Sequence, residues 1–240
     1  MREQTLNSSN SQDRDQSHAR AGFLPASVRI AKARAREFSE IRRICCETGN
    51  AGAPIAKERW DFFGDLWIGP YEKLLPQWTY VASVEDQILG YLTGCPSTAQ
   101  FESRKRLKIF PLLWMGILRR SYRKTSDTRR FLKRSLGLSK SPERCFSGGF
   151  LKMLYVRYPA HLHINIDSRV RGRNLGRSLV EGFLRDLKRE EVSGVHVFCG
   201  DQARGFYRSL GFQELKRISY RTDSRAGATP VYAMGRLLRA

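Results

Sequence analysis

One short segment combines arginines and glycines in a way that suits phosphate binding. The segment RVRGRNLGRS, residues 169–178, lies between a strand-like stretch and a helical pattern. A helix begins with backbone N–H groups that lack intrahelical partners and with the positive end of its dipole, so it attracts anions. Glycine lets the backbone approach the anion, and arginine adds charge. The segment predicts a polyphosphate-binding loop, although such helix starts are also common without this role. Its residues are Arg171, Gly172, Arg173, Asn174, Leu175, Gly176 and Arg177.

The stretch before this loop, HLHINID at residues 161–167, reads as a strand that could hold a linear ligand. If its neighbouring strand diverges, its backbone edge is free to bind an extended arm beside the phosphates. Alternation along a strand places successive side chains on opposite faces. One face then carries His161, His163 and Asn165, and the other carries Leu162, Ile164 and Ile166.

The rest of the chain supplies the elements that position these residues. Helical spacing of apolar residues over 175–187 predicts a helix packed on a sheet, and WTYVASV and ILGYLTG around EDQ predict a hairpin. The full order is strand, helices, hairpin, a long insertion, then strand, helix, strand, helix and two strands. We expect an α/β (α+β) fold with helices packed on a mixed sheet. The polar residues 1–24 read as a disordered tail before one domain over 25–240.

The insertion at residues 101–157, between the third and fourth strands, is rich in helix formers and strongly basic. The chain has 43 Lys+Arg against 23 Asp+Glu, a formal net charge of +20. Residues 101–150 hold 14 Lys/Arg and 3 Asp/Glu, a net of +11. Three interpretations stay open: a helical lid, a surface for an acidic partner such as RNA, and a helix on an anionic membrane surface. The RNA interpretation is based on Phe101, Phe110, Trp114, Tyr122 and Phe131, which alternate with basic residues.

The cysteines indicate neither a disulfide framework nor a metal site. Cys45, Cys46, Cys95, Cys145 and Cys199 include no CxxC pair and no histidine at ligand spacing, so we expect no metal. The N-terminal residues lack the apolar segment of a secretory signal, and the longest apolar run, residues 109–118, is too short to span a bilayer. We expect a cytoplasmic protein.

The segment IDSRVRGRNLGRSL, followed by FYRSLGF, resembles the GNAT superfamily of acetyl-CoA-dependent N-acetyltransferases. The motif of that superfamily, Arg/Gln-x-x-Gly-x-Gly/Ala, holds the coenzyme A pyrophosphate at the start of the central helix. Here Arg171, Asn174 and Gly176 occupy its positions. Across residues 28–238 the chain is similar to the acetyltransferase-like domain of O-linked N-acetylglucosaminidases and its free-standing bacterial relatives. The resemblance implies a GNAT-like, mostly antiparallel sheet with a basic helical insertion between strands 3 and 4.

The resemblance also implies a reaction and roles for particular residues. An acetyl group would pass from acetyl-CoA directly to a primary amine, without a covalent enzyme intermediate. The backbone of Ile164, Asn165 and Ile166 would hold pantetheine, and Tyr207 would donate a proton to the departing sulfur. The base stays unassigned among His163, Asp167, Glu85, Asp86 and water. Without the resemblance, Tyr207 would read as a core tyrosine packed beside Phe206 and Phe212.

Several departures from the family pattern leave a competing hypothesis open. Asn174 replaces the middle glycine of the motif, Ser168 stands where a proline is usual, and Asn50 and Asn165 stand where we expect aspartate. These residues favour a catalytically silent binding module that uses residues 101–150 to hold an acidic partner, RNA or a membrane surface. The amine acceptor, whether a small molecule or a protein, and the oligomeric state, a homodimer included, are not specified by the sequence.

Overall fold

Seven strands form one sheet in the order β1-β2-β3-β4-β5-β7-β6 in the computed structural model, which describes residues 28–170, 174–221 and 228–238. The predicted tail at residues 1–24 lies outside these ranges. The strands are β1 (Arg29–Lys32), β2 (Thr79–Val84), β3 (Gln87–Cys95), β4 (Ala160–Ile166), β5 (Gly194–Cys199), β6 (Gln213–Arg221) and β7 (Ala228–Leu237). The predicted hairpin is confirmed, since β2 pairs antiparallel with β3 across Glu85 and Asp86.

The pairing between β4 and β5 differs from every other pairing that the described strands make. It is parallel and includes only Ala160 with Val195 and His161 with His196. Each strand stays paired along its other edge, β4 with β3 as far as Ile166 and β5 with β7 as far as Cys199. The two strands therefore diverge after His161, as the sequence interpretation of this strand required.

Helices cover both faces of the sheet. α1 (Phe38–Thr48), α2 (Trp60–Trp67) and α3 (Gly69–Leu74) precede the hairpin, and α8 (Leu175–Arg189) and α9 (Asp201–Ser209) follow β4 and β5. The predicted apolar stripe of α8 is buried against Tyr80, Leu92 and Leu162. The apolar face of α1 packs with Val81 and Tyr91 on the opposite side. The expected α/β fold, with a mostly antiparallel sheet between helices, is confirmed.

The insertion between β3 and β4 is helical, as expected. It contains α4 (Thr98–Arg104), a π-helical turn (Lys105–Ile109), α5 (Phe110–Leu118), α6 (Ser126–Ser135) and α7 (Gly148–Arg157). Pro111 lies in the first turn of α5, directly after the π-helical turn, where its missing N–H group is tolerated. No helix within the described ranges is both long enough and apolar enough to cross a membrane.

Candidate active site

A cavity of about 310 Å³ lies where β4 and β5 diverge. β4 contributes Leu162, His163, Ile164 and Asn165 to its wall, and β5 and the following residue contribute Val197, Phe198, Cys199 and Gly200. Helices α1, α2 and α9 close the remaining sides, together with Tyr91 and Thr93 of β3. On its β5 side, β4 has no strand partner beyond His161 in the described part of the chain, so its backbone edge faces this cavity.

The residue before α8 has a left-handed backbone conformation. Asn174 precedes the helix in the left-handed conformation, with φ 59° and ψ 3°, which asparagine adopts more readily than most residues. Leu175 is buried in the core and so anchors the first turn, while its backbone stays at the helix start. The asparagine that replaces the family's glycine is therefore compatible with this turn.

Gly176 lies at a tightly packed position in the first turn of α8. A Cβ atom at this position would lie 3.3 Å from Cζ of Phe206 and 3.6 Å from Cδ1 of Ile164. The first turn of α8 therefore lies directly against α9 and β4. The Arg177 guanidinium bonds to Ser209 at 3.2 Å and lies 3.7 Å from Glu181, so it is directed toward the end of α9. Three further predicted phosphate-binding residues, Arg171, Gly172 and Arg173, lie outside the described residues.

The predicted pantetheine-binding residues lie on the diverging part of β4. Ile164 and Asn165 line the cavity, whereas Ile166 leans across β3 toward Gly90. The Asn165 amide donates a hydrogen bond of 2.7 Å to the Tyr91 hydroxyl, which holds the side chain against β3. The backbone of this segment is consequently positioned by β3 on one edge and open to the cavity on the other.

Tyr207 lines the cavity while its ring packs in the core. The residue is 5% exposed, and its ring makes edge contacts with Phe206 and Phe212 at centroid distances of 5.1 and 5.4 Å. Among the described residues, no hydrogen bond involves its hydroxyl. Burial, and to a smaller extent the Cys199 thiol, raises the pKa of Tyr207 above its usual value of 10.0. The phenol therefore keeps its proton at neutral pH, as a general acid must.

His163 differs from the other two histidines of this region because its ring faces the cavity. It lies edge-on to Trp67 at 6.0 Å and to Tyr71 at 6.3 Å, and no hydrogen bond to a described residue involves its ring. The side chain is exposed on the cavity side, and desolvation by the protein packed around it lowers the pKa of His163 below 6.5. The imidazole is therefore neutral at pH 7 and has a nitrogen lone pair free to accept a proton.

His161 is fully hydrogen-bonded within the protein. The Thr98 hydroxyl donates to the Pro159 carbonyl at 2.7 Å, so it must accept from Nδ1 of His161 at 2.9 Å. This leaves Nε2 to accept from the Tyr71 hydroxyl at 2.7 Å. His196 likewise donates from Nδ1 to the Tyr158 carbonyl at 2.6 Å, and burial lowers its pKa to about 4. Both rings are neutral and structural.

The other candidate groups do not offer a base or a nucleophile to the cavity. The guanidinium of Arg169 pairs with Asp167 at 2.6 Å and lowers the pKa of this carboxyl, and Asp167 does not line the cavity. Asn50 forms a turn with Ala53 at the end of α1, also outside the cavity lining. Burial raises the pKa of Cys199 to about 11, so its thiol stays protonated. Glu85 and Asp86 form the exposed β2–β3 turn.

The sequence interpretation missed the residues of α1 and α2 that line the cavity, namely Cys45, Thr48, Gly49, Phe63, Trp67 and Ile68. Among them, Trp67 remains 39% exposed, and this exposure depends on tertiary packing that the sequence pattern of α2 does not reveal. No group of three or more potential metal ligands occurs among the described residues.

Solved structures with the same fold include several acetyltransferases. The structure named SsHAT is 27% identical, covers 89% of this chain and 100% of its own, and superposes with a TM-score of 0.67. An N-acetyltransferase from Staphylococcus aureus Mu50 is 10% identical over 89% of this chain and 100% of its own, with a TM-score of 0.54. The Salmonella typhimurium protein yncA, solved with its cofactor acetyl-CoA, is 13% identical over 90% of this chain and 96% of its own, with a TM-score of 0.53.

No protein-family model matches the chain. The structural likeness covers nearly all of the chain. The sequence predicts an N-acetyltransferase, and the Staphylococcus aureus neighbour is named as one. The chain therefore has the fold of the GNAT N-acetyltransferases.

Proposed function

We propose that this protein transfers an acetyl group from acetyl-CoA to a primary amine by direct attack. The observation that carries the proposal is the divergence of β4 from β5, which opens a cavity beside a helix start with a left-handed entry residue. The edge of β4 opens to the cavity, and the first turn of α8 packs against Ile164 of the same strand, so the two together suit a ligand with both an amide-containing arm and phosphates. The SsHAT likeness and the acetyl-CoA in the yncA structure support the same ligand.

The described residues fit this ligand in three places. The N–H groups at the start of α8, after Asn174, suit the pyrophosphate, and Arg171 and Arg173 are proposed to add charge there. The open edge of β4 at Ile164 and Asn165 suits the pantetheine amides. The cavity beyond them, next to Tyr207, suits the thioester.

The chemistry requires a proton acceptor and a proton donor. As the amine nitrogen bonds to the thioester carbonyl carbon and the carbon–sulfur bond breaks, the nitrogen must lose a proton and the sulfur must gain one. We assign the first role to His163, whose neutral ring faces the cavity without a protein hydrogen bond. Tyr207 takes the second role because its protonated hydroxyl lines the same cavity. Neither step needs a covalent enzyme intermediate.

The acceptor amine is proposed to enter on the α2 side of the cavity, where Phe63 and Trp67 provide an aromatic wall. This wall suits an amine carried on an apolar or cationic group, since Trp67 can contact a cation through its ring face. The finer resemblance, to the acetyltransferase-like domain of O-linked N-acetylglucosaminidases, and the cytoplasmic location both stay predictions.

Calorimetric titration of the full chain with acetyl-CoA tests binding first, with dephospho-CoA and ATP as controls because a protein of net charge +20 attracts polyphosphates in general. We expect saturable binding that is clearly tighter than that of ATP. Gly176→Glu should abolish it, whereas the matched Gly176→Ala, which requires Phe206 to shift only by a few tenths of an ångström, should retain it. Unchanged affinity in Gly176→Glu would contradict the phosphate site.

Hydrogen exchange locates the ligand within the fold. If the arm lies between the diverging strands, acetyl-CoA should protect those amides of residues 162–166 that point to the cavity, while the amides bonded to β3 and those of the β2–β3 hairpin stay unchanged. Release of free coenzyme A with a panel of amines, followed through its thiol, then tests turnover. Protection without turnover across peptides, polyamines and aminoglycosides would favour the silent binding module over the enzyme.

A further inference from the structure

The outward face of the helical segment from residue 104 to residue 120 has a composition unlike that of an ordinary solvated helix. Its exposed residues are Arg104, Arg106, Leu107, Lys108, Pro111, Leu112, Met115, Leu118, Arg119 and Arg120. Every one of these side chains is either basic or apolar, and none is acidic or an uncharged polar group. We call this set the basic apolar face.

The apolar residues of this face are large and strongly exposed. Leu107 is 74% exposed, Leu112 52%, Met115 45% and Leu118 70%. The last three follow one another at intervals of three residues and so form a continuous stripe along α5. Single exposed leucines are normal on a protein surface, but a stripe of this length on one helix indicates a surface that contacts something apolar.

Basic residues flank the apolar stripe on both sides. Arg104, Arg106 and Lys108 precede it and Arg119 and Arg120 follow it. Within the described ranges none of these five takes part in an ion pair. The nearest acidic side chain in sequence, Glu102, pairs with Lys105 instead. The positive charge of the face is therefore not neutralised by the described residues.

The inward side of the same segment packs the insertion onto α2. Ile109 and Leu113 are buried with Phe62 and Phe131, and Phe110, Trp114 and Tyr122 pack around them. Phe131 lies edge-on to Phe62 at 5.6 Å and to Phe110 at 5.2 Å. The aromatic side chains are thus used in this internal cluster, and the exposed apolar side chains are aliphatic.

We propose that the basic apolar face binds the surface of an anionic lipid bilayer, with the axis of α5 parallel to the membrane plane. The aliphatic stripe enters the boundary between headgroups and acyl chains, while the flanking arginines and lysine contact lipid phosphates. The long side chains of Arg and Lys allow their charges to stay at headgroup level as the helix sinks toward the acyl chains. The buried side of α5 meanwhile keeps the helix fixed to the protein.

Single-stranded RNA fits this face less well. Binding of single strands depends on aromatic platforms on which bases stack, and Phe110, Trp114 and Phe131 are occupied in the internal cluster. RNA would be attracted by the charge of the face but would gain nothing from Leu112, Met115 and Leu118. The aliphatic stripe is therefore the feature that distinguishes a lipid partner from a nucleic acid.

Cosedimentation of the full chain with vesicles tests the proposal, with phosphatidylcholine alone compared with phosphatidylcholine mixed with phosphatidylserine. We expect binding to the anionic vesicles that weakens with added salt. Leu112→Ser/Leu118→Ser should reduce the affinity on the order of tenfold. The matched control, Leu136→Ser/Leu138→Ser, makes the same change at leucines that are 62% and 73% exposed but lie after α6, and should leave binding unchanged.

Two further measurements test the charge of the basic apolar face and the competing RNA partner. Arg119→Gln/Arg120→Gln should weaken binding by about fivefold for each arginine. Anisotropy with a labelled single-stranded RNA gives the competing measurement. Any of three results would overturn the proposal. The protein does not bind anionic vesicles, the two leucine variants bind them equally well, or the protein binds RNA more tightly than vesicles with an affinity that the leucine substitutions do not change. Far-UV circular dichroism confirms that the exposed substitutions leave the fold intact.

Discussion

The substitution Tyr207→Phe separates the catalytic role of this side chain from its structural role. The ring lies between Phe206 and Phe212, so phenylalanine fills the same space and keeps both edge contacts. The hydroxyl makes no hydrogen bond to a described residue, so its removal leaves no protein group unsatisfied. The change should therefore alter the stability of the fold by less than about 1 kcal/mol. A tyrosine whose hydroxyl only stabilised the core would lose more.

The expected effect on the reaction is much larger. A positioned general acid contributes roughly 10²–10⁴-fold to a rate, so kcat of Tyr207→Phe should fall by at least about 100-fold. Since the ring and the cavity wall persist, the affinity for acetyl-CoA should stay nearly constant. Burial raises the pKa of Tyr207 above 10.0, so the acid stays protonated throughout the neutral range. The loss should accordingly be the same from about pH 7 to about pH 9.

The assay follows coenzyme A release under saturating amine and measures acetyl-CoA affinity by calorimetry on the same samples. Thermal unfolding of both proteins provides the control for folding. A kcat within about threefold of the wild-type value, with folding intact, would refute the assignment of Tyr207 as the acid. A parallel loss of affinity and stability would instead show that the hydroxyl acts in the structure.

Three further predictions concern titration and packing. We expect the wild-type rate to fall as the pH drops below 6.5, and His163→Gln should lower kcat/KM and remove this dependence on pH. A variant that keeps the acidic limb would exclude His163 as the base. His196 binds a proton near pH 4 when folded but near 6.5 when unfolded, so stability falls as the pH drops between these values. His196 should account for about 2 kcal/mol of the fall in the free energy of unfolding between pH 7 and pH 5. Denaturant titrations of His196→Gln should therefore show a free energy of unfolding that depends less on pH over this range. Gly94→Ala places a Cβ atom 2.5 Å from the Phe183 ring and should lower the stability of the fold by about 1–3 kcal/mol. The control Gly205→Ala lies in open space on α9 and should raise the stability by up to about 1 kcal/mol. Thermal unfolding of both variants measures the two effects.

Local patterns were sufficient to predict the elements of the fold. The segments WTYVASV and ILGYLTG around EDQ predicted the hairpin, and helical spacing over residues 175–187 predicted the buried stripe of α8. Pro111 lies in the first turn of α5, where the local chemistry of proline is tolerated. Each of these features depends on residues close together in the sequence, which is why the sequence alone is informative.

The properties of the three sheet histidines could not be predicted in the same way. His161 and His163 share a face by alternation, yet only His163 reaches the cavity without a hydrogen bond. The difference arises from Tyr71 and Thr98, which lie 90 and 63 residues away from His161 in sequence and satisfy its ring. The sequence pattern placed both rings on one face of β4, but the difference between their hydrogen bonding depends on tertiary contacts.

The location of the cavity follows from how the strands are joined. β4 keeps its hydrogen bonds to β3 and β5 keeps its bonds to β7, so the sheet loses pairing only along the two edges that face each other. Backbone groups that lie in such a wedge need partners, and a ligand arm with amides supplies donors and acceptors of the same kind as the missing strand. α8 connects the two diverging strands and begins at the end of β4, so a phosphate at its N-terminus and an arm along β4 can belong to one molecule. This arrangement supports the proposal of one ligand that carries both groups, and it is a more specific argument than a basic, glycine-containing loop alone.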